Sequence, residues 1–180
     1  MENYKYAAKQ GLAEAQLNLA QIFHYGPSHL QDHIQAYSWY KKSAKQGMLE
    51  AEFNLGLMAH YGRGTNQDYV KAMNHYIKAS NASIPEADLN IAFLHHYGLG
   101  TLENHNKSFE YFTKAAKYNL PQAQYHLGLL YQNGKSVKKD LDKANYWFEK
   151  AAEQNLDEAK LMTAALALRE PKDVELYIAN

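Results

Sequence analysis

The amino-acid sequence predicts an all-α protein, a solenoid of stacked helix pairs, on three observations. A period of 36 residues runs through the 180-residue chain without gaps. Only 4 prolines stand against 15 tyrosines, which favours uninterrupted helices with aromatic packing. Hydrophobic residues make up 46% of the chain, which is typical of a folded domain. An alanine occupies the first position of every repeat: Ala15, Ala51, Ala87, Ala123 and Ala159.

Other columns of the repeat agree with this phase. The sixth position is alanine or glycine, the twelfth is glycine and the twenty-eighth is lysine in each full repeat. We therefore expect one domain over residues 1–180. It would comprise the end of a partial repeat (1–14), four full repeats (15–50, 51–86, 87–122 and 123–158), and a fifth first helix with a C-terminal cap (159–180).

The first helix of each repeat, helix A, has clear signals at both ends. Its predicted starts lie near Glu50, Pro85, Pro121 and Asp157, because proline and acidic residues suit the first turn of a helix. Its predicted ends are the twelfth-position glycines, since glycine readily takes the left-handed conformation that terminates a helix. These glycines are Gly26, Gly62, Gly98 and Gly134.

The second helix, helix B, follows a short loop. Asp32, Asp68 and Asp140 precede it as candidate caps, and Asn104 takes that place in the third repeat. Helix B is expected to end near Gly47, Ser83, Asn119 and Asn155. After Arg169 the pattern stops, and residues 171–180 are predicted to form a short capping helix.

Small residues at the first and sixth positions would let helix A approach its neighbours closely. Aromatic pairs on helix B would then fill the volume beside them. One helix pair cannot bury its own apolar face, so the repeats must stack. The aromatic pairs are Trp39-Tyr40, His75-Tyr76, Tyr111-Phe112 and Trp147-Phe148.

Composition argues against several classes of function. Lys and Arg (19) balance Asp and Glu (19), whereas proteins that coat a phosphate backbone are basic, so we expect no nucleic-acid partner. Cysteine is absent, which removes disulfides, thiolate zinc sites and cysteine nucleophiles. No apolar run reaches the ~18–20 residues of a membrane span, and the N-terminus lacks a signal-peptide core. These features predict a cytoplasmic protein, or a periplasmic one if an export signal has been removed.

Nine histidines raise the possibility of a metal site. His24, His60 and His96 share one repeat position, but packed helices lie about 10 Å apart, while zinc ligands converge within ~2.1 Å of one ion. We therefore expect no metal and no cofactor. A pH-sensitive interface stays open as an alternative, because histidine titrates near neutral pH.

The repeat columns resemble the Sel1-like repeat, a relative of the tetratricopeptide repeat. In the first repeat Pro27-Ser28 replaces the family's Gly-x-Gly loop, and in the fourth Ser136 replaces its second glycine. The resemblance implies a right-handed α-α superhelix that binds other proteins, frequently in bacteria. The residues that carry it are Gly62, Gly64, Asp68, Ala72 and Lys78 in the second repeat, and Ala123, Leu127, Gly128, Tyr131, Gly134, Val137, Asp140, Ala144, Trp147, Phe148, Lys150, Ala151 and Ala152 in the fourth.

The resemblance also implies a concave groove, lined by helix A positions three, seven and ten and flanked by position eleven. A competing interpretation is that these side chains pack helix A against adjacent repeats. The predicted groove residues are Leu17, Gln21, His24, Phe53, Leu57, His60, Leu89, Phe93, His96, Tyr125, Leu129 and Gln132, with Tyr25, Tyr61 and Tyr97 at the flank.

The leading functional hypothesis is a scaffold or adaptor, not an enzyme, that binds a protein or peptide in this groove as a monomer or weak homo-oligomer. A secretion-system immunity protein that neutralises a toxin is a narrower alternative. An enzyme or receptor for cell-wall-derived ligands is an alternative of another class. Two Ser-x-x-Lys sequences, Ser38–Lys41 and Ser136–Lys139, bear on that class, but they fall at unrelated repeat positions and lack the accompanying motifs.

Overall fold

A computed structural model describes residues 2–81 and 84–168. These residues form ten α-helices and no strand. Ser83 and the predicted capping helix over 171–180 lie outside the described residues. The helices are α1 (Glu2–Lys9), α2 (Ala13–Tyr25), α3 (His33–Lys45), α4 (Leu49–Tyr61), α5 (Tyr69–Ser80), α6 (Pro85–Tyr97), α7 (His105–Lys117), α8 (Pro121–Asn133), α9 (Leu141–Glu153) and α10 (Asp157–Ala167).

The helices follow the predicted alternation. Helices α2, α4, α6, α8 and α10 are the A helices, and α3, α5, α7 and α9 are the B helices. The chain divides into two compact units, Met1–Tyr111 and Phe112–Asn180, so that α7 contributes residues to both. Within the first unit each helix from α1 to α6 packs against the next, and within the second unit α9 packs against both α8 and α10.

The predicted caps of helix B are confirmed. The carboxylates of Asp32, Asp68 and Asp140 accept hydrogen bonds from backbone N–H groups three residues further on, at 2.9, 3.0 and 2.9 Å. The side-chain oxygen of Asn104 does the same at 3.0 Å. Each cap satisfies a donor that the first turn of a helix leaves free, and these bonds also lower the pKa of Asp32, Asp68 and Asp140.

All four twelfth-position glycines end a helix A as predicted, but only three of them take the left-handed conformation. Gly62, Gly98 and Gly134 have φ of 67°, 66° and 69°, in the left-handed region. Gly26 instead has φ −66° and ψ 177°. The reason is Pro27, whose ring disfavours helical conformations in the preceding residue and biases it to extended backbone.

The close approach at the sixth position is also confirmed. An alanine Cβ at Gly56 would lie 2.6 Å from the ring of Tyr76, and one at Gly128 would lie 2.6 Å from the ring of Phe148. Of each helix B aromatic pair, only the second member is fully buried: Tyr40, Tyr76, Phe112 and Phe148. The first members are half-buried.

We expect Gly56→Ala to lower the free energy of unfolding by about 1–3 kcal/mol, because the added methyl overlaps the Tyr76 ring in a filled core. Urea unfolding would measure the loss. Ala92→Gly is the matched control, since it makes the reverse change at the same repeat position. A Gly56→Ala variant as stable as the parent would show that this position does not need glycine.

Candidate protein-binding face

The exposed side of helix A is marked by a tyrosine at position eleven. Tyr25, Tyr61 and Tyr97 are 56%, 56% and 59% exposed, and each is the last residue of its helix. The Tyr25 hydroxyl donates to Oδ1 of Asn54 on the next A helix at 2.9 Å. Arg63 lies over the Tyr61 ring, 5.4 Å from its centroid. The predicted flanking tyrosines are therefore available to a partner.

Position ten faces helix B of its own repeat. His24 is only 3% exposed, and its Nδ1 lies 3.5 Å from the hydroxyl of Tyr40. His60 is half-buried, with its Nδ1 3.4 Å from the Tyr76 hydroxyl. The structure thus corrects the prediction for His24, which belongs to the core: this histidine in the last turn of helix A finds a polar partner inside the repeat.

Position three faces the same way. Leu17 is 4% exposed and belongs to the core, so it too cannot line an open groove. The ring of Phe53 lies 6.0 Å from that of Tyr76, and the ring of Tyr125 lies 5.7 Å from that of Phe148. These contacts favour the competing interpretation for position three, that its side chains pack helix A against neighbouring helices.

Position seven is intermediate between core and surface. Gln21, Leu57 and Phe93 are half-buried, as are Leu89 and His96 at positions three and ten of the third repeat. Gln21 donates to Oε1 of Glu50 on the next A helix at 2.6 Å, and the Phe93 ring stacks on that of Tyr97 at 6.1 Å. Part of each position-seven side chain therefore reaches the surface that the tyrosines mark.

Sequence reasoning missed two further columns on this surface. In the first three repeats a glutamate precedes the first position and an asparagine occupies the fourth. With positions seven and eleven they form a stripe along one side of the helix, at ~100° per residue. Asn54 and Asn90 donate to the backbone oxygens of Glu50 and Glu86 at 2.9 and 2.8 Å. The signal in the sequence was that the same residue type recurs three times at a spacing of 36 residues in each of these two columns. We call this set the helix A stripe: Glu14, Asn18, Gln21, Tyr25; Glu50, Asn54, Leu57, Tyr61; Glu86, Asn90, Phe93, Tyr97.

The second unit does not repeat this pattern. The stripe positions of α8 are Gln122, His126, Leu129 and Asn133, without a glutamate or a tyrosine. Leu129 packs against the core of its unit, and Gln132 is half-buried. The predicted groove residues of the fourth repeat thus have a different chemical character from those of the first three.

Burial keeps His24 and His60 uncharged. Burial lowers the pKa of His24 to about 4, with nearby His33 and Arg63 adding to the effect. Burial also lowers the pKa of His60. Both imidazoles are therefore neutral at pH 7, and their protonation belongs to acid conditions, not to a switch near neutrality.

Neither a metal-binding cluster nor a membrane-spanning helix is found in residues 2–81 and 84–168. No group of three or more His, Cys, Asp or Glu side chains is placed there to hold a metal ion. None of the described helices has both the length and the apolar character that crossing a bilayer requires.

Comparison with known proteins places the fold. The Sel1 repeat family model matches four times, over residues 13–48, 49–83, 85–117 and 121–156. No curated protein sequence matches the chain. The all-α solenoid class predicted from the sequence is confirmed by these matches and by solved Sel1 repeat structures.

Three solved structures illustrate the likeness. The protective antigen c5321 of uropathogenic Escherichia coli has a TM-score of 0.83 and 34% identity, over 88% of this chain and 34% of that one. A Sel1 repeat protein from Oxalobacter formigenes has a TM-score of 0.82 and 33% identity, over 93% of this chain and 49% of that one. Immunity protein Pa5087 from Pseudomonas aeruginosa, at 22% identity and a TM-score of 0.55 over 88% and 58% of the two chains, shares the fold.

The present chain spans about a third and about half of the first two proteins. The Sel1 repeat is a protein-interaction scaffold. Because the family model covers most of the sequence, the chain belongs to the Sel1 repeat family.

Proposed function

We propose that this protein is a non-catalytic scaffold that binds a protein partner along the helix A stripe of α2, α4 and α6. The supporting observation is the exposed tyrosine that recurs at the end of all three helices. Buried columns recur because every repeat must pack in the same way, but a side chain more than half exposed is under no such requirement. Its recurrence is better explained by a ligand that contacts successive repeats.

The chemistry of the stripe suits a protein ligand. Tyrosine supplies a large apolar ring together with a hydroxyl, and it is enriched at the centres of protein interfaces. Leu57 and Phe93 add apolar surface between the tyrosines, and the half-buried Asn90 places an amide group beside it. A partner segment crossing α2, α4 and α6 would meet an exposed glutamate and an exposed tyrosine at each helix.

Other functions have less support. The serine and the lysine of both Ser-x-x-Lys sequences are exposed, whereas an activated serine needs a base held in a desolvated site. The immunity role stays a narrower prediction within protein binding. The likeness to Pa5087 is a likeness of fold alone, so it does not identify a toxin as the partner.

The test is affinity capture from the native cell with a triple variant, Tyr25→Ala/Tyr61→Ala/Tyr97→Ala. We expect the main captured partner to be lost, since each interface tyrosine contributes on the order of 1–2 kcal/mol to binding. The matched control is Tyr6→Ala/Tyr118→Ala/Tyr146→Ala, because these tyrosines are 70%, 54% and 51% exposed away from the stripe.

The control variant should retain the partner. Thermal unfolding of both variants establishes that they are folded. A folded stripe variant that captures every partner of the parent would show that binding occurs elsewhere.

A further inference from the structure

A cleft of about 310 Å³ lies on the helix B side of the first unit, between α5 and the start of α7. Val70, Met73 and Ile77 form its aliphatic wall, and Val70 and Ile77 are 55% and 40% exposed. Tyr111 and His95 contribute to its lining as well. Its volume is at the lower end of the range for small-molecule pockets and exceeds the volume of one aromatic side chain.

His95 is the unusual member of this cleft. The side chain is only 7% exposed, and its Nδ1 has no hydrogen-bond partner among the described residues. Buried polar groups are normally paired, so an unpaired one beside a cleft indicates a group that a ligand could satisfy once the imidazole rotates about its Cβ–Cγ bond. The imidazole stacks on the ring of Tyr111, with centroids 6.2 Å apart and planes 21° apart, which gives the cleft a flat aromatic element.

The charge state of His95 defines what it can bind. Burial lowers the pKa of His95, and nearby Lys107 adds to the effect. The imidazole is therefore neutral at pH 7. A neutral imidazole has one N–H donor and one nitrogen that accepts, so it pairs with an uncharged donor without the cost of burying a charge.

The preceding repeat provides a comparison within the same chain. A cleft in the equivalent place is lined by Ile34, Tyr37, Ser38, Lys41 and Gly64, which correspond at a spacing of 36 residues to Val70, Met73, Asn74, Ile77 and Gly100. Lysine stands there where the later cleft has Ile77, and Ala59 stands where it has His95. The fold therefore accepts a polar wall and an alanine at these positions, and the apolar wall with its histidine is particular to the later cleft.

We propose that this cleft binds a planar aromatic ring that carries an N–H or O–H donor, supplied by a tryptophan or tyrosine side chain of a protein partner. The ring packs between the aliphatic wall and the His95–Tyr111 pair, and its donor bonds to the accepting nitrogen of His95. Aromatic side chains with one polar group are the usual anchors of protein interfaces. The site is formed by α5, α7 and His95 of α6, and none of its lining residues belongs to the helix A stripe.

The test uses N-acetyl-tryptophanamide as the probe and follows backbone and imidazole resonances of the full chain by NMR. We expect shift changes at residues of the cleft, including the His95 ring nitrogens, with a dissociation constant on the order of 1 mM for a single side chain in an open cleft. N-acetyl-phenylalaninamide, which lacks a side-chain donor, should bind at least fivefold more weakly.

Two variants reproduce residues that the preceding repeat carries at the same positions, His95→Ala and Ile77→Lys. Each should weaken probe binding at least tenfold while thermal unfolding stays cooperative. Lys41→Ala, in the equivalent earlier cleft, is the control and should leave probe binding unchanged. Equal binding of the two amides, unchanged affinity in folded His95→Ala, or no shift changes at the cleft up to the solubility of the probe would each overturn the proposal.

Discussion

Replacing Gly64 with alanine is expected to lower the free energy of unfolding by about 3–5 kcal/mol, a large effect for one methyl group. Gly64 has φ of 68°, which an L side chain rarely adopts. A Cβ there would lie 2.0 Å from the backbone oxygen of His33 at the start of α3. Backbone cannot move aside as a flexible side chain can, so the loop after α4 would have to lift off the preceding helix B. Urea unfolding monitored by circular dichroism measures the loss.

Gly47→Ala is the matched control, because it separates backbone strain from the clash. Gly47 has φ of 89°, and a Cβ there would meet nothing within 4 Å. Only the conformational cost applies, and we expect a loss of about 1 kcal/mol. Gly47→Asn should cost less still, since Asn119 and Asn155 hold the same repeat position with φ of 65°. Similar losses for Gly64→Ala and Gly47→Ala would show that the loop does not rest on α3.

The repeat explains why so much of the fold was predictable. The helix B caps recur because the first turn of every helix B has the same free N–H groups. An aspartate three residues before such an N–H can accept its hydrogen bond whatever the tertiary structure, so the cap can be predicted from the sequence. The glycine ends of α4, α6 and α8 follow for the same reason. Gly26 is extended and not left-handed like the other three glycines, because Pro27 biases the backbone of the residue before it to the extended region.

The candidate surface was less predictable, because exposure depends on where neighbouring helices lie. Positions three and ten lie about 80° and 100° of helical rotation from position eleven at ~100° per residue. That difference is enough to turn Leu17 and His24 towards helix B and leave Tyr25 outside. The recurring glutamates and asparagines can be seen in the sequence, but the sequence does not show which side of helix A they share. The Tyr25–Asn54 and Gln21–Glu50 hydrogen bonds between successive A helices do.

Acidification is expected to destabilise the protein through His24. Its pKa is about 4 in the folded protein against an ordinary value of 6.5. The unfolded chain therefore binds the proton more readily, so stability is complete above pH 6.5 and is lost as the pH falls towards 4. For this one group the free energy of unfolding should fall by about 2 kcal/mol at pH 5 and about 3 kcal/mol at pH 4. His60 adds a loss of the same sign.

His24→Gln is the variant that isolates this contribution. Glutamine occupies the same repeat position at Gln132, and its amide can pair with the Tyr40 hydroxyl without taking up a proton. Urea unfolding between pH 7 and pH 4.5 should show a shallower decline for His24→Gln than for the parent. The lowered pKa values of the capping aspartates do not interfere, because those carboxylates protonate below this window. Parallel declines would mean that His24 is already hydrated or protonated in the folded protein, and that the imidazole beside Tyr40 is not part of a closed core.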